Sequence, residues 1–438
     1  MLDIKYIREN AEKIKEAAIN KNIKVDIDKL LQIDKRRRKL QTRLDNIRAK
    51  RNELAKSAKD GRPSEGQIKA GKKVKQEMIA LEEGLKLINR EYMDIMVKVP
   101  VVPSSDVPIG KSEKENVEIF RSQEPPEFNF KIKDHIEIGK DLDIIDMERG
   151  SKVAGYRGYY LKNEGVSLTM ALMLFALEKL IQKGFTPVIP PTLVREFALF
   201  GSGYFAGKNF NPEVDEIYKI ENTEVEADGS KNKEDKFLIG TAEPALLAYH
   251  ANETLDEKDL PIKYCGFSQC YRSEIGSYGK DVKGMYRVHE FMKVEQVCIT
   301  TANIKESDKL HQEMLEISKE LHKELGLPYR VLQICTGDMS AGKYKMFDLE
   351  AWMPSRNAWG ETGSATNFLD WQSRRLNVKY KTSEGKSKHV FMLNNTALPS
   401  VRPLISILEN YQEEDGSVKI PKALRKFMPG NASKIEKK

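Results

Sequence analysis

Phe267–Gln296, FSQCYRSEIGSYGKDVKGMYRVHEFMKVEQ, is the stretch on which the fold turns. Small and apolar residues lead into Arg272 and Glu274, and a run rich in turn formers follows: Gly276, Ser277, Gly279, Lys280, Asp281, Lys283 and Gly284. Arg287 to Glu295 then leads back out. Val288, Phe291 and Val294 alternate irregularly with charged residues, so the pattern predicts two antiparallel strands joined by a long loop. Guanidinium and carboxylate groups on the strands, with glycines at the tip, suit a site that grips an anionic ligand and closes over it. On these residues alone an ordinary hairpin with solvated charges stays open.

The chain around this stretch has 438 residues, 40% hydrophobic and 32% charged, enough for two or three domains with one sizeable core. It contains no apolar run of about eighteen residues, so no membrane span is expected. The first ten residues, MLDIKYIREN, carry acids and lack an apolar signal-peptide core, which predicts a cytoplasmic protein. Cys265, Cys270, Cys298 and Cys335 show no paired C-x-x-C spacing; reduced buried thiols are expected, and no zinc.

Charge is concentrated in one segment. Residues 35–75 hold sixteen Lys/Arg against four Asp/Glu, a net +12, which leaves −5 for the remainder of a chain whose total is +7. Within and beyond that window, Leu30, Ile33, Arg37, Leu40, Leu44, Ile47, Arg51 and Leu54 recur at alternating spacings of three and four. So do Gly71, Val74, Met78, Leu81, Leu85, Ile88, Tyr92 and Ile95. Between the two series lies Ala58–Gly66, AKDGRPSEG, which neither helix could absorb. Two heptad-patterned helices joined by a short turn lie antiparallel, and about thirty residues at ~1.5 Å rise give a projecting arm of roughly 45 Å. Arg37 and Arg51 fall on the seam and are expected at frayed or tip-facing positions. The net +12 favours a polyanion over a protein partner or a merely solvated coiled coil. With no aromatic residue between 28 and 90, contacts to phosphate and sugar are expected, and Arg36, Arg38, Arg43, Lys50, Lys72 and Lys73 are the candidates.

The body follows Pro100–Pro108, PVVPSSDVP, a stiff linker. Val166–Lys183 is amphipathic, Gly184 ends it, and Phe185–Pro191 begins an edge-type strand. Residues 208–236, with Glu224, Glu226, Asp228, Glu234 and Asp235, are expected as a surface hairpin with a mobile loop. Phe237–Glu243 supplies a strand whose end presents Thr241 and Glu243. Thr300–Leu325 has Leu310, Met314, Ile317 and Leu321 on one helical face and packs in the core. Phe347–Trp352 is a strand, and Trp359–Asn367 carries Glu361 and Ser364. Met392–Gln412 reads as strand, bend and helix, bearing Asn394, Thr396 and Arg402, with Pro403 at a helix start that tolerates it.

Tyr-Arg-Ser-Glu, a glycine-rich loop, Arg-x-x-x-Phe and Lys-Val-Glu closely resemble motif 2 of class II aminoacyl-tRNA synthetases, and specifically that of the seryl-tRNA synthetases. Residues 166–191 are similar to motif 1, the dimer-interface element, with Pro191 at its proline. Residues 392–412 resemble motif 3, and the N-terminal helix pair resembles the arm with which these enzymes grip the long variable arm of their tRNA. The chain departs from the family pattern at Gly240, where proline is usual, at Gly363, where serine is, and at Val401, where glycine precedes the arginine.

The resemblance implies an α+β fold: a class II catalytic domain on a mostly antiparallel sheet of six to eight strands flanked by helices. An N-terminal antiparallel two-helix coiled-coil arm precedes it. The expected divisions are 1–99 for the tRNA-binding arm, 100–110 for the linker, 111–427 for the catalytic domain and 428–438 for a mobile basic tail. It further implies a homodimer that activates serine with ATP and transfers it to tRNA(Ser), and to tRNA(Sec) where present, with Mg²⁺ accompanying ATP. Arg272 would bridge the amino-acid carboxylate and the α-phosphate, Glu274 would receive the adenine amino group, and Phe291 would stack on the ring beside Val288. Arg287 and Arg402 would flank the nucleotide, while Glu361 and Ser364 would hold the metal. Thr241, Glu243, Glu295, Asn394 and Thr396 would form the serine pocket; polar groups built to pair a hydroxyl reject alanine, which leaves them unpaired. Two other readings are weighed: a carrier-protein amino-acid ligase, which would lack the arm, and a catalytically silent RNA-binding paralogue, which would have lost Arg272, Glu295 or Arg402.

Overall fold

A computed structural model describes residues 1–57, 64–205, 207–222, 225, 229, 234–275 and 284–437, which form two compact units, Met1–Pro100 and Val101–Lys438. Of the tip turn expected over Ala58–Gly66, residues 58–63 lie outside the described residues, as do the loop residues Gly276–Lys283 and Glu224, Glu226 and Asp228; Ser64 caps the helix Glu65–Met96, which takes up Glu65 and Gly66 because the cap satisfies its first amides.

The first unit holds α1 (Ile4–Glu9), α2 (Ala11–Asn20), α3 (Ile27–Ser57) and α4 (Glu65–Met96). A capping box, Ser64 with Gln67, starts α4 by satisfying two otherwise orphaned amides. Leu30, Ile33 and Leu44 of α3 and Val74, Leu81 and Ile88 of α4 are buried, so the heptad positions form the seam. Arg37 lies over the Tyr92 ring at 4.5 Å, Arg48 pairs with Glu82 at 3.0 Å and Arg51 reaches Met78 at 3.7 Å. Across these three contacts the α4 partner number falls as the α3 number rises, which makes the helices antiparallel. Arg37 is therefore not frayed: its flat cation stacks on an aromatic seam residue and pairs with buried Asp34 at 3.6 Å. Arg36, Arg38, Arg43, Lys50, Lys72 and Lys73 are all exposed, Arg38 beside Asp34 and Arg43 beside Glu77.

The second unit is built on an eight-stranded sheet. In chain order its strands are β1 (Val117–Arg121), β2 (Thr186–Val188), β3 (Ile262–Tyr271), β4 (Glu290–Thr300), β5 (Tyr329–Gln333), β6 (Lys345–Met353), β7 (Ala358–Asn367) and β8 (Phe391–Pro399). Their order across the sheet is β1-β5-β6-β7-β8-β4-β3-β2, antiparallel throughout except β2 against β3. The predicted hairpin strands are β3 and β4, in register from Tyr271↔Glu290 to Ile262↔Ile299. Strand periodicity divides β4 between two environments: Val294 and Cys298 join the main core, whereas Val297 and Ile299 join a second cluster with Leu246 and Met392. Helices α5 (Asn163–Gln182), α6 (Ile304–Glu324) and α7 (Val401–Asn410) close the main core with Leu168 and Leu172, Met314 and Ile317, and Leu404 and Leu408.

The stretches expected as linker and mobile tail are both packed. Val101 N–H donates to Ala341 O at 2.8 Å and Ser104 N–H to Tyr344 O at 3.1 Å, and Val107 is buried with Ile334 and Met339. At the other end, Lys434–Ile435 pairs with Val418–Lys419, and Ile435 enters the main core. Its apolar side chain gives the basic tail something to bury. The four cysteines are buried free thiols. No helix among the described residues is long and apolar enough to cross a membrane.

Candidate active site

The base of the β3–β4 hairpin is tied by backbone: Arg272 N–H donates to His289 O at 2.9 Å, and His289 Nδ1 lies 2.9 Å from Arg272 O. The Arg272 guanidinium is thereby held over the Phe291 ring, 5.4 Å from its centroid, with Nε donating to Gly240 O at 3.4 Å. Glu274 has φ of 54°, a left-handed conformation uncommon for a residue with a Cβ. That bend brings its carboxylate to 3.2 Å from Arg287 and 3.7 Å from Arg157.

Deeper in the sheet, Glu295 and Thr396 are register partners on β4 and β8. Thr396 Oγ1 donates to Glu295 Oε2 at 3.3 Å, and Lys293 Nζ stands 2.5 Å from that same oxygen and 3.3 Å from Thr396 Oγ1. Next to them Glu243 is buried and accepts from Gln372 Nε2 at 2.6 Å. Burial, then the charge of Glu295, pushes the Glu243 carboxyl up to about 7, against the opposing pull of Gln372, Lys293 and Asn394. Thr241 and Asn394 are buried as well. Two buried carboxyl groups balanced by one lysine make a pocket that gains by admitting a small cation such as an ammonium.

At the opposite side Arg402, on the first turn of α7, donates from Nη1 to Glu361 O at 2.7 Å and Oε2 at 3.2 Å. Its guanidinium lies over the Tyr286 ring at 4.5 Å. Burial works to raise the Glu361 carboxyl, but Arg402 and Arg272 outweigh it and hold the group below its ordinary value. Ser364 faces Asp348 across β7 and β6. Burial, then the charge of Glu361, holds the Asp348 carboxyl well above the carboxylate range, and Asp348 Oδ1 is buried with no hydrogen-bond partner among the described residues. Oxygen donors with one lone pair unspent fit a hard divalent cation. No group of three or more His, Cys, Asp or Glu that could cage a metal occurs among the described residues.

A cleft joins these parts. Arg272, Glu274, Arg287, Val288 and Phe291 line it from the hairpin; Glu361, Thr396 and Arg402 line it from β7, β8 and α7. Thr241, Glu243 and Asn394 are buried around Glu295. Gly363 also lines the cleft, and a Cβ there would come to 3.2 Å from Thr396 O, so the glycine keeps β7 and β8 close. Gly240 is under no such constraint: a Cβ there would meet Arg272 at 3.5 Å. Sequence reasoning passed over Lys293, Asp348 and Arg157. Lys293 was detectable, because a residue two positions from Glu295 on a strand shares its face.

Two family models match the chain: the seryl-tRNA synthetase N-terminal domain over residues 1–103, and the tRNA synthetase class II core domain (G, H, P, S and T) over 218–411. A serine–tRNA ligase of Borrelia garinii is 44% identical over 98% of both chains. Among solved structures, seryl-tRNA synthetase from Pyrococcus horikoshii complexed with ATP superposes with a TM-score of 0.87 at 36% identity, covering 100% of each chain. Cytoplasmic serine–tRNA ligase from Naegleria fowleri in complex with AMP gives 0.84 at 31% identity over 100% of this chain and 99% of that one. With both domains matched and identity of this order sustained from end to end, the chain belongs to the seryl-tRNA synthetase family of class II.

Proposed function

We propose that the protein is a serine–tRNA ligase that activates serine with ATP to seryl-adenylate and transfers the seryl group to tRNA(Ser). The observation that carries this reading is the convergence of Arg272, Phe291, Glu361 and Arg402 on one cleft whose floor holds Glu295 and Thr396. In the first step a serine carboxylate oxygen attacks the α-phosphorus of ATP, an O–P bond forms, and diphosphate leaves with the electrons of the broken bond. Two anions must meet, so fixed cations matter more than any covalent nucleophile. Arg272 lies over the ring of Phe291 and lines the same cleft as Thr396, where one planar fork can bond a carboxylate and a phosphate together. Phe291 offers a face for adenine and Glu274 an acceptor for its amino group, while Arg287 and Arg402 flank the nucleotide.

Glu295, Thr396 and Asn394 take the serine hydroxyl, and Glu243 and Thr241 attend its ammonium side. Alanine, with hydrogen in place of the hydroxyl, makes none of these hydrogen bonds, and threonine brings an extra methyl that the pocket must also hold. Glu361 and Ser364, with Asp348 behind them, would hold Mg²⁺. When bound, that ion neutralises the polyphosphate leaving group.

The chain acts as a cytoplasmic homodimer in this reading. Val166, Met170, Leu174 and Ile181 leave apolar side chains exposed on α5, and Ile189 is 82% exposed just beyond it. A second copy would cover that face. Sedimentation equilibrium tests the assembly. Serine-dependent ATP–diphosphate exchange, compared with threonine, alanine and glycine, tests the chemistry. Exchange supported equally by alanine would overturn the pocket assignment.

A further inference from the structure

His135 lies 150 positions before the exit of the hairpin loop, outside every motif that suggested function, yet it touches that exit directly. Its ring is buried, 5% exposed, at the first turn of a helix, His135–Asp141, whose capping box is made by Asp134 and Glu137. Met285 N–H lies 3.1 Å from Nε2, and Nδ1 lies 2.9 Å from Glu409 Oε1. An amide N–H can only donate, so Nε2 accepts and the ring proton resides on Nδ1, where Glu409 receives it. The tautomer is therefore set by the backbone it holds.

Both ends of this bridge lead to the nucleotide cleft. Met285 is followed by Tyr286, Arg287 and Val288, all three lining the cleft, and Tyr286 O accepts from Arg402 Nε at 3.3 Å. Glu409 sits on α7, the helix that carries Arg402, and is fully buried. It is anchored by four donors: His135 N at 3.1 Å, His135 Nδ1, Ser355 N at 3.0 Å and Ser355 Oγ at 2.8 Å. The ring comes this close because residue 284 is glycine. A Cβ there would stand 2.2 Å from His135 Nε2, and its φ of 74° disfavours any side chain.

We propose that His135 is a positioning residue for ATP: it fixes the backbone from Met285 to Val288 relative to the helix bearing Arg402. This rests on the nucleotide site proposed above. Among the described residues its hydrogen bonds go to Met285 and Glu409 and to none of the amino-acid pocket, so its loss falls on one substrate and not the other.

The test is serine-dependent ATP–diphosphate exchange by the full-length protein, with KM measured separately for ATP and serine. Losing one buried hydrogen bond to the loop exit predicts a rise in the ATP KM of about tenfold for His135→Ala, with the serine KM within about twofold. His135→Asn retains a donor toward Glu409 but cannot reach Met285, and should behave like alanine. His135→Gln places an amide oxygen near the Nε2 position and should restore the ATP KM to within about threefold of wild type. The glutamine and asparagine variants suffice for the comparison should the alanine variant fold poorly.

A purely structural role predicts equal behaviour of the asparagine and glutamine variants, or a parallel rise in both KM values, and either result overturns the proposal. Phe291→Ala serves as the reference. If it raises the ATP KM while the histidine variants do not, the positioning role fails and the nucleotide site stands. If it too leaves the ATP KM unchanged, the site assignment falls and takes this inference with it.

Discussion

Lys293 Nζ and Glu295 Oε2 lie 2.5 Å apart with both side chains buried, so the floor of the amino-acid pocket is an ion pair sealed from water. Removing one partner leaves an uncompensated charge in a low-dielectric site, which costs about 3 kcal/mol or more, whereas removing both costs far less. Lys293→Met and Glu295→Gln should each lower the urea midpoint clearly, and the double variant should recover much of the loss. Simple additivity in that double-mutant cycle would show that the two side chains are not coupled in solution.

Arg272 should not be replaceable by lysine. A point charge cannot present the two parallel donors that a carboxylate and a phosphate require at once. Both Arg272→Ala and Arg272→Lys should lower kcat/KM for diphosphate exchange by about a hundredfold or more, the scale of losing preorganised transition-state stabilisation. Retention of near wild-type exchange in either variant would contradict the role given to this side chain.

Glu243 predicts a pH dependence with a definite sign. Its carboxyl is raised to about 7 in the folded protein, against an ordinary value of 4.5. Between those values the native state binds more protons than the unfolded state, so this group's contribution to stability is lost as pH rises from about 4.5 through 7. Glu243→Gln stays neutral throughout. Its stability relative to wild type should therefore increase between pH 5 and pH 8, by on the order of 2 kcal/mol. A difference that is flat across that range would remove the raised carboxyl from consideration.

The arm predicts a separation of activities. Deleting residues 30–96 should spare diphosphate exchange and abolish tRNA charging. Replacing the exposed cations Arg36, Lys50, Lys72 and Lys73 with glutamine should weaken tRNA binding and flatten its dependence on log salt, by roughly 0.7–0.9 for each phosphate that is no longer neutralised. An unchanged salt slope would place the RNA-binding cations elsewhere.

Much of this was legible in the sequence where the physics is local. A three-and-four spacing over Leu30–Leu54 needs only a helix to become a seam, and the buried Leu30, Ile33 and Leu44 follow from it. Arg272, Glu274 and Glu295 could be marked because they sit at fixed offsets within one hairpin, whose register carries their geometry. Arg37 was misplaced for a matching reason: heptad position says that a residue faces the partner helix, but not that Tyr92 waits there to stack with its guanidinium. Residues 428–438 read as a basic tail because the core that buries Met428 and Ile435, and the pairing of Ile435 with Val418, come only with folding.

Periodicity therefore determined the helical arm and the strands of the central hairpin, which depend on neighbours along the chain, while the rest of the sheet and the side chains expected at the cleft followed from the resemblance to the family. The tertiary structure alone decided which unmarked groups support them. Asp348 faces Ser364 across β6 and β7, and His135 joins Met285 to Glu409. Hydrogen bonds and ion pairs act over about 3 Å, and the folded chain brings within that reach residues that lie far apart in sequence.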